Sequence, residues 1–249
     1  MKDFREQLYE GYVSNFKRDA AIKRPGALSS YFRWCESRIC PHLDDLSRDA
    51  RILELGCGAG YFLEFLKSKG FTALEGVDTS AQQVELAQER GSPVQAADVF
   101  EFLQGKRQEY DVLVALDFVE HFHRHELVEL AGLFSEALKP GGKLILQTPN
   151  GAGLFPWQVV YGDLTHLTIF TPQSLEQLLR AFDFSGFLFT ETVRAPVTAK
   201  DRLKLLVWHV LKKLMMAIRS IETSRRQEVW SQNFICSCRK GHSPTPSDG

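Results

Sequence analysis

Glu54 stands two places before the first glycine of Gly56-Cys57-Gly58-Ala59-Gly60. A glycine-rich turn lets backbone approach a ligand closely and opens a helix whose free N–H groups face it. The spacing here is G-x-G-x-G followed by Tyr61, whereas a dinucleotide fingerprint needs G-x-G-x-x-G. A carboxylate at Glu54 suits a ligand ammonium better than a pyrophosphate, because two anions repel. Asp78 follows Gly60 by 18 residues, where a carboxylate can accept both hydroxyls of a ribose. Asp98 is placed to accept from an adenine amino group, with Val99 and Phe100 flanking the ring. Cys57, Thr79 and Leu116 complete the expected cofactor contacts.

Two histidines offer proton transfer near neutral pH. His121 closes Asp117-Phe118-Val119-Glu120-His121, and His166 closes Tyr161-Gly162-Asp163-Leu164-Thr165-His166. The plainer alternatives are that Glu120 opens a helix, where the N-terminal dipole favours a carboxylate, and that His166 makes an ordinary loop hydrogen bond.

These residues need strand ends to hold them. From residue 51 onwards, short apolar runs ending in Gly or Asp alternate with longer amphipathic stretches, the pattern of βα units and a parallel sheet. Strands are expected at 51–55, 72–77, 94–97, 112–116 and 143–147, and helices at 61–68, 81–90 and 126–138. Lys139-Pro140-Gly141-Gly142 is expected to stop the last of these helices and turn the chain into the fifth strand. Beyond Asn150 come a glycine-rich aromatic segment, a helix at 172–182, and strands at 186–193 and 233–238. Residues 1–46 read as a helical cap, with Phe4, Leu8 and Tyr12 at helical spacing, and 241–249 as a disordered tail. The whole is expected to be one domain over 1–240, with the cofactor core in 50–150 and acceptor-side elements in 151–240.

Residues 200–226 carry eight Lys/Arg against Asp201 and Glu222, on a helical stripe that includes Leu203, Val207, Val210 and Leu214. The charges are too frequent for a bilayer span. Such a helix either lies on an anionic membrane surface or packs on the sheet or a second copy. The formal net charge of -1 gives no global footprint for nucleic acid. Five cysteines and a start, Met1-Lys2-Asp3-Phe4-Arg5-Glu6, without an apolar core segment lead us to expect a reducing cytoplasm. Cys236 and Cys238 are expected to face opposite ways in a strand, so zinc chelation by the pair is not expected.

Glu54 to Gly60, Asp78, Ala97-Asp98, Asp111-Val112-Leu113 and Leu138 to Gly142, in that order, resemble the successive motifs of class I S-adenosylmethionine-dependent methyltransferases. The resemblance covers about residues 50–150. It implies an α/β, Rossmann-like, doubly wound seven-stranded sheet whose last strand runs antiparallel; the basic helix read at 200–226 falls before that strand. It also implies S-adenosylmethionine as cofactor and S-adenosylhomocysteine as product, with Glu54 and Gly56 near the methionine part, Asp78 at the ribose, and Asp98 and Val99 at the adenine. Asp117, Glu120 and His121 resemble the acidic-x-x-Glu-His cluster of ubiquinone-biosynthesis O-methyltransferases, which serves a divalent metal, with Asp117 in place of the usual glutamate. The 163–175 stretch and Thr148-Pro149-Asn150 resemble the same group and enzymes that methylate sugars and polysaccharides.

The expected reaction is methylation of a hydroxyl on a small molecule, glycan or lipid-linked acceptor, with His166 or His121 taking the proton. No nucleic-acid partner is expected, and peripheral membrane contact would run through 200–226. The rivals are a non-catalytic cofactor-binding or scaffold module, and an RNA or protein methyltransferase. Against the last, no Asn-Pro-Pro-Tyr segment follows the fourth strand.

Overall fold

The computed structural model describes residues 26–193, 196–223 and 227–241. The helix expected around Phe4 to Tyr12 and the tail expected beyond Gly241 fall outside them.

The apolar runs form a seven-stranded sheet: β1 (Ile52–Leu55), β2 (Leu74–Asp78), β3 (Val94–Ala96), β4 (Tyr110–Leu116), β5 (Leu138–Pro149), β6 (Phe184–Glu191) and β7 (Asn233–Lys240). Their order is β3-β2-β1-β4-β5-β7-β6. β1 pairs parallel with both β2 and β4, while β7 runs antiparallel between β5 and β6. The strand order therefore reverses between β1 and β4, and ligands of such sheets bind outside the carboxyl ends at that reversal.

Alternation along the central strands assigns the two faces of the core. Leu53, Leu113 and Leu144 pack on one side with α5 (Arg124–Ala137) and α7 (Pro172–Arg180). Ile52, Val112 and Ile145 pack on the other with Phe62 and Phe65 of α2 (Tyr61–Ser68) and Cys35 of α1 (Ala27–Arg38). Strands covered on both faces read as continuous apolar runs, which is why the sequence shows them so clearly.

Three local expectations are corrected. Lys139 to Gly142 is not a separate turn but the irregular start of β5. Tyr110 pairs with Leu138 and Val112 with Lys143, so a five-residue advance on β5 faces a two-residue advance on β4. Gly141, at φ 73°, and the bond from Lys139 Nζ to Asp111 at 2.8 Å hold that bulge. Secondly, α5 starts at Arg124, because the His123 N–H donates to Glu126 Oε2 at 2.7 Å in a capping box. Thirdly, Cys236 and Cys238 share a face, as residues two apart on a strand must, and both lie in one core cluster. Burial, and secondarily the neighbouring Cys238, pushes the Cys236 thiol well up. Among the described residues no cysteine joins a metal-ligating cluster.

His42 anchors the cap to the far edge of the sheet. Its Nδ1 lies 2.8 Å from Ser237 Oγ and its Nε2 3.0 Å from Thr190 Oγ1. Burial, with Lys143 nearby, lowers its pKa to about 4, so the ring is neutral.

The basic helix is present as α8 (Ala199–Thr223), but its apolar stripe faces outward rather than onto the sheet: Leu206 is 62% and Ile218 52% exposed. Among the described residues no helix is long and apolar enough to cross a membrane.

Candidate functional site

The turn after β1 takes its shape from glycines that accept the left-handed region, with Gly56, Gly58 and Gly60 at φ 67°, 50° and 73°. A Cβ on Gly56 would lie 2.5 Å from the Phe118 ring. The turn is tied to the next strand by Gly56 and Cys57 N–H groups donating to the Val77 carbonyl. Asp78 completes the tie, accepting from Gly58 N–H and from Ser80 N–H, each at 2.8 Å. The expected ribose acceptor thus also clamps the glycine turn, and each of its oxygens keeps acceptor capacity beyond that one bond.

Glu54 is the penultimate residue of β1, just before this turn. It is 4% exposed, and its Oε2 has no hydrogen-bond partner among the described residues. Burial, and secondarily the charge of Asp78, raises its pKa well above the usual carboxylate range. A buried carboxyl oxygen left unmatched is costly unless a ligand donor reaches it, so this observation fits the ammonium of an amino-acid-bearing cofactor. The cysteine in the turn, Cys57, is buried, and burial followed by the charges of Glu54 and Asp78 raises its pKa; it is packing beneath the turn, not a reactive thiol.

Asp98 lies past the end of β3 rather than on it. Its Oδ1 accepts from Phe100 N–H at 2.8 Å and from Glu101 N–H at 3.4 Å, capping α4 (Val99–Leu103). Val99 is 4% exposed and belongs to the core, so it offers an adenine little surface, whereas Phe100 is half-buried and packs edge-on to Phe122 at 5.7 Å. Thr79 is exposed beside Asp78, and Leu116 is half-buried at the end of β4.

Sequence reasoning missed Tyr31 and Cys35, one helical turn apart on α1. Burial raises both pKa values, that of Cys35 to about 12, and the Glu54 charge acts on both. Asp117 also acts on Tyr31. This helix packs against β1, Cys35 sharing a core cluster with Ile52, and the i, i+4 recurrence of Tyr31 and Cys35 was the available signal.

Beyond β4, the three residues expected to act together are redistributed. Asp117 adopts φ 52°, a strained setting for a non-glycine residue, and its Oδ1 accepts from Gln147 Nε2 at 2.9 Å and Asn233 Nδ2 at 3.1 Å. Glu120 and His121 turn inward in a short 3-10 turn instead, which also corrects the plainer alternative of a helix start. Glu120 is wholly buried and its Oε2 accepts from Thr148 Oγ1 at 3.1 Å. His166 joins them from the segment after β5: the ligand atoms of Glu120, His121 and His166 all lie within 4.8 Å of one another. The two imidazoles meet edge to face, with centroids 5.1 Å apart.

Each ring is oriented by a backbone carbonyl. His121 Nδ1 lies 3.0 Å from the Thr165 oxygen and His166 Nδ1 2.7 Å from the Val159 oxygen. A carbonyl only accepts, so Nδ1 carries the hydrogen in each ring, and in the neutral form Nε2 keeps the lone pair. Glu120 in turn holds the His166 segment, its carbonyl accepting from Leu167 and Thr168 N–H. This arrangement can take a proton, or bind a divalent cation in the way histidine ligands do when their second nitrogen donates to a carbonyl. Asp117 stands outside that cluster.

A family model described as a methyltransferase domain matches residues 31–187. Among curated relatives, a tRNA U34 carboxymethyltransferase of Marinobacter nauticus is 30% identical over 193 residues, covering 70% of this chain and 54% of that protein. One from Ectopseudomonas mendocina is 26% identical over 215 residues, covering 78% and 62%. A ubiquinone biosynthesis O-methyltransferase of Chelativorans sp. is 32% identical over 106 residues, covering 40% of each. The chain thus spans roughly half to three-fifths of the length of the tRNA-modifying relatives. Among solved structures, a SAM-dependent methyltransferase from Archaeoglobus fulgidus has TM-score 0.62 at 19% identity, covering 84% of this chain and 94% of that one. Human N-acetylserotonin methyltransferase, solved with SAM, has TM-score 0.60 at 15% identity, covering 96% and 59%. At these identities the likeness is one of fold.

Proposed function

Because this chain belongs to the class I S-adenosylmethionine-dependent methyltransferases, we propose that it methylates a hydroxyl oxygen on an acceptor seated over Glu120, His121 and His166. The sulfonium cofactor supplies an activated methyl group. The residues of this chain hold it: Glu54 faces the ammonium, Asp78 the ribose hydroxyls and Asp98 the adenine amino group. An acceptor oxygen forms the new C–O bond as the C–S bond breaks, its proton passes to a histidine Nε2, and S-adenosylhomocysteine leaves. Positioning supplies much of the rate for such a transfer, and the base adds about 10²–10⁴-fold.

One observation carries the reading: two imidazoles, each with its Nδ1 on a backbone carbonyl, beside the buried Glu120 at the carboxyl ends of β4 and β5. The same three side chains suit a divalent cation, which would polarise an acceptor oxygen. On this reading residues 1–240 work as one domain, with 50–150 holding the cofactor and 151–240 presenting the acceptor.

A second reading has an observation of its own. Several relatives are named tRNA U34 carboxymethyltransferases, and Phe155, Trp157 and Tyr161 stand exposed beside the acceptor segment, where bases could stack on them. The net charge of -1 favours a non-nucleic acceptor.

Labelled methyl transfer into separate pools of phenols and sugars, extracted lipids and bulk tRNA, with magnesium or chelator, tests both readings. Ether-linked label that falls by ~10²-fold or more in His166→Ala, with S-adenosylhomocysteine affinity unchanged, supports the proposal. Label on nitrogen or carbon, or undiminished transfer by the variant, overturns it, and label confined to tRNA selects the second reading.

A further inference from the structure

The outward stripe of α8 is the largest feature that the cofactor and acceptor sites leave unexplained. Leu203, Val207, Val210, Leu214, Ile218 and Ile221 recur at steps of four, three, four, four and three, and all are 49% exposed or more. At about 100° per residue they lie in one apolar sector, which Leu206 and Leu211 widen to roughly 140°. Lys204 borders that sector on one side, and Arg202 and Lys213 border it on the other. The opposite side is fixed to the body: Trp208 Nε1 donates to Glu191 Oε2 at 3.4 Å and Lys212 Nζ to the same oxygen at 2.7 Å. Those two bonds set the roll of the helix and keep the stripe outward.

Topology gives the stripe its meaning. β6 ends at Glu191, on the same rim of the sheet as the ends of β1, β2 and β4 that carry Glu54, Asp78 and Asp117. The segment after β5 adds Phe155, Trp157, Tyr161 and Leu164 to that rim, each more than half exposed. Gln232, leading into β7, reaches Gln158 in this segment at 3.4 Å. Aliphatic side chains bordered by cations, next to exposed aromatic rings, form a surface with one apolar layer and one charged layer.

We propose that α8 and this aromatic rim dock the protein on an anionic lipid surface, with α8 lying in the interface and the acceptor mouth turned toward the lipid. The charge pattern selects this occupant. A second copy would bring together helices that each carry six Lys/Arg against two acids, with like charges at both margins of the seam. Nucleic-acid phosphates would engage the bordering cations and leave the aliphatic sector in water. An anionic bilayer matches both parts, taking the side chains among its acyl chains and the margins among its headgroups. Docking does not depend on which atom is methylated, so the proposal stands or falls apart from the acceptor chemistry.

Co-sedimentation of the full chain with vesicles of phosphatidylglycerol and phosphatidylcholine tests it. Binding is expected at low salt, weakening at least tenfold in pure phosphatidylcholine and in Val210→Glu/Leu214→Glu. Lys204→Glu/Lys213→Glu should lose only the preference for anionic lipid. Unchanged affinity for S-adenosylhomocysteine certifies that the variants fold. Absence of pelleting by the full chain at low salt overturns the proposal. So does a dimer that the Val210→Glu/Leu214→Glu variant splits without any vesicle binding, or tRNA binding that Lys204→Glu/Lys213→Glu abolishes in a chain that ignores vesicles.

Discussion

Glu54→Gln separates a cofactor carboxylate from a merely structural one, because it is expected to move binding and stability in opposite directions. The side chain is 4% exposed and its Oε2 is unpartnered. A unit charge about 4 Å from a ligand ammonium contributes roughly 4 kcal/mol at an effective dielectric near 20. A glutamine oxygen still accepts a hydrogen bond worth about 1 kcal/mol net, so the variant should lose ~2–3 kcal/mol. That corresponds to about 30- to 150-fold weaker binding of S-adenosylhomocysteine by calorimetry.

The ligand-free protein should behave oppositely. Burial raises the Glu54 pKa, so the folded chain disfavours the ionised form that the unfolded chain adopts freely. Above the unfolded carboxyl pKa, near 4.5, this residue therefore costs stability, and the cost grows as pH rises toward its folded pKa. Glu54→Gln removes that cost, so the melting temperature should rise at pH 8 and the gain should shrink toward pH 5. A variant that binds within threefold of the parent, or one that is destabilised at pH 8, would refute the placement of Glu54 opposite a cationic group.

Gly56→Ala combines a φ of 67° with a Cβ 2.5 Å from the Phe118 ring, so it should cost more than ~1 kcal/mol of stability and weaken cofactor binding; urea denaturation and calorimetry read the two effects. His42 has a folded pKa near 4 against 6.5 for the free side chain, so between those values the unfolded chain binds the extra proton. Its contribution should be intact above about pH 6.5 and decline by roughly 3 kcal/mol toward pH 4, and His42→Asn should flatten that part of the urea-midpoint profile.

What could be read in the sequence was chemistry written within one turn or one strand. Glu54 and the three glycines lie within seven residues, and the central strands β1 and β4 announce themselves as apolar runs because both of their faces are buried. The order of these units carried the resemblance to class I methyltransferases, and that resemblance, not the pattern itself, implied the antiparallel last strand. Less visible were features set by pairing. The start of β5 reads as a stop signal because Pro140 and Gly141 end helices and also make bulges, and only the offset of Tyr110 against Leu138 distinguishes the two. Cys236 and Cys238 were misplaced even though strand periodicity alone puts them on one face.

The acceptor side was harder to read because its groups meet across the chain. His121 and His166 are 45 residues apart, and nothing local says that the second would displace Asp117 from the cluster around Glu120. Asp117 could leave because Gln147 and Asn233, from β5 and β7, claim its carboxylate and hold it at positive φ. This division has a consequence for the enzyme. The cofactor turn is braced by its own backbone and by Asp78, so it can keep its shape whatever the acceptor. The histidine pair depends on the 150–170 segment, whose Val159 and Thr165 carbonyls fix both rings. On the proposed function, changes in that segment should therefore alter acceptor choice and the protonation geometry together, while leaving the cofactor affinity proposed for Glu54 and Asp78 unchanged.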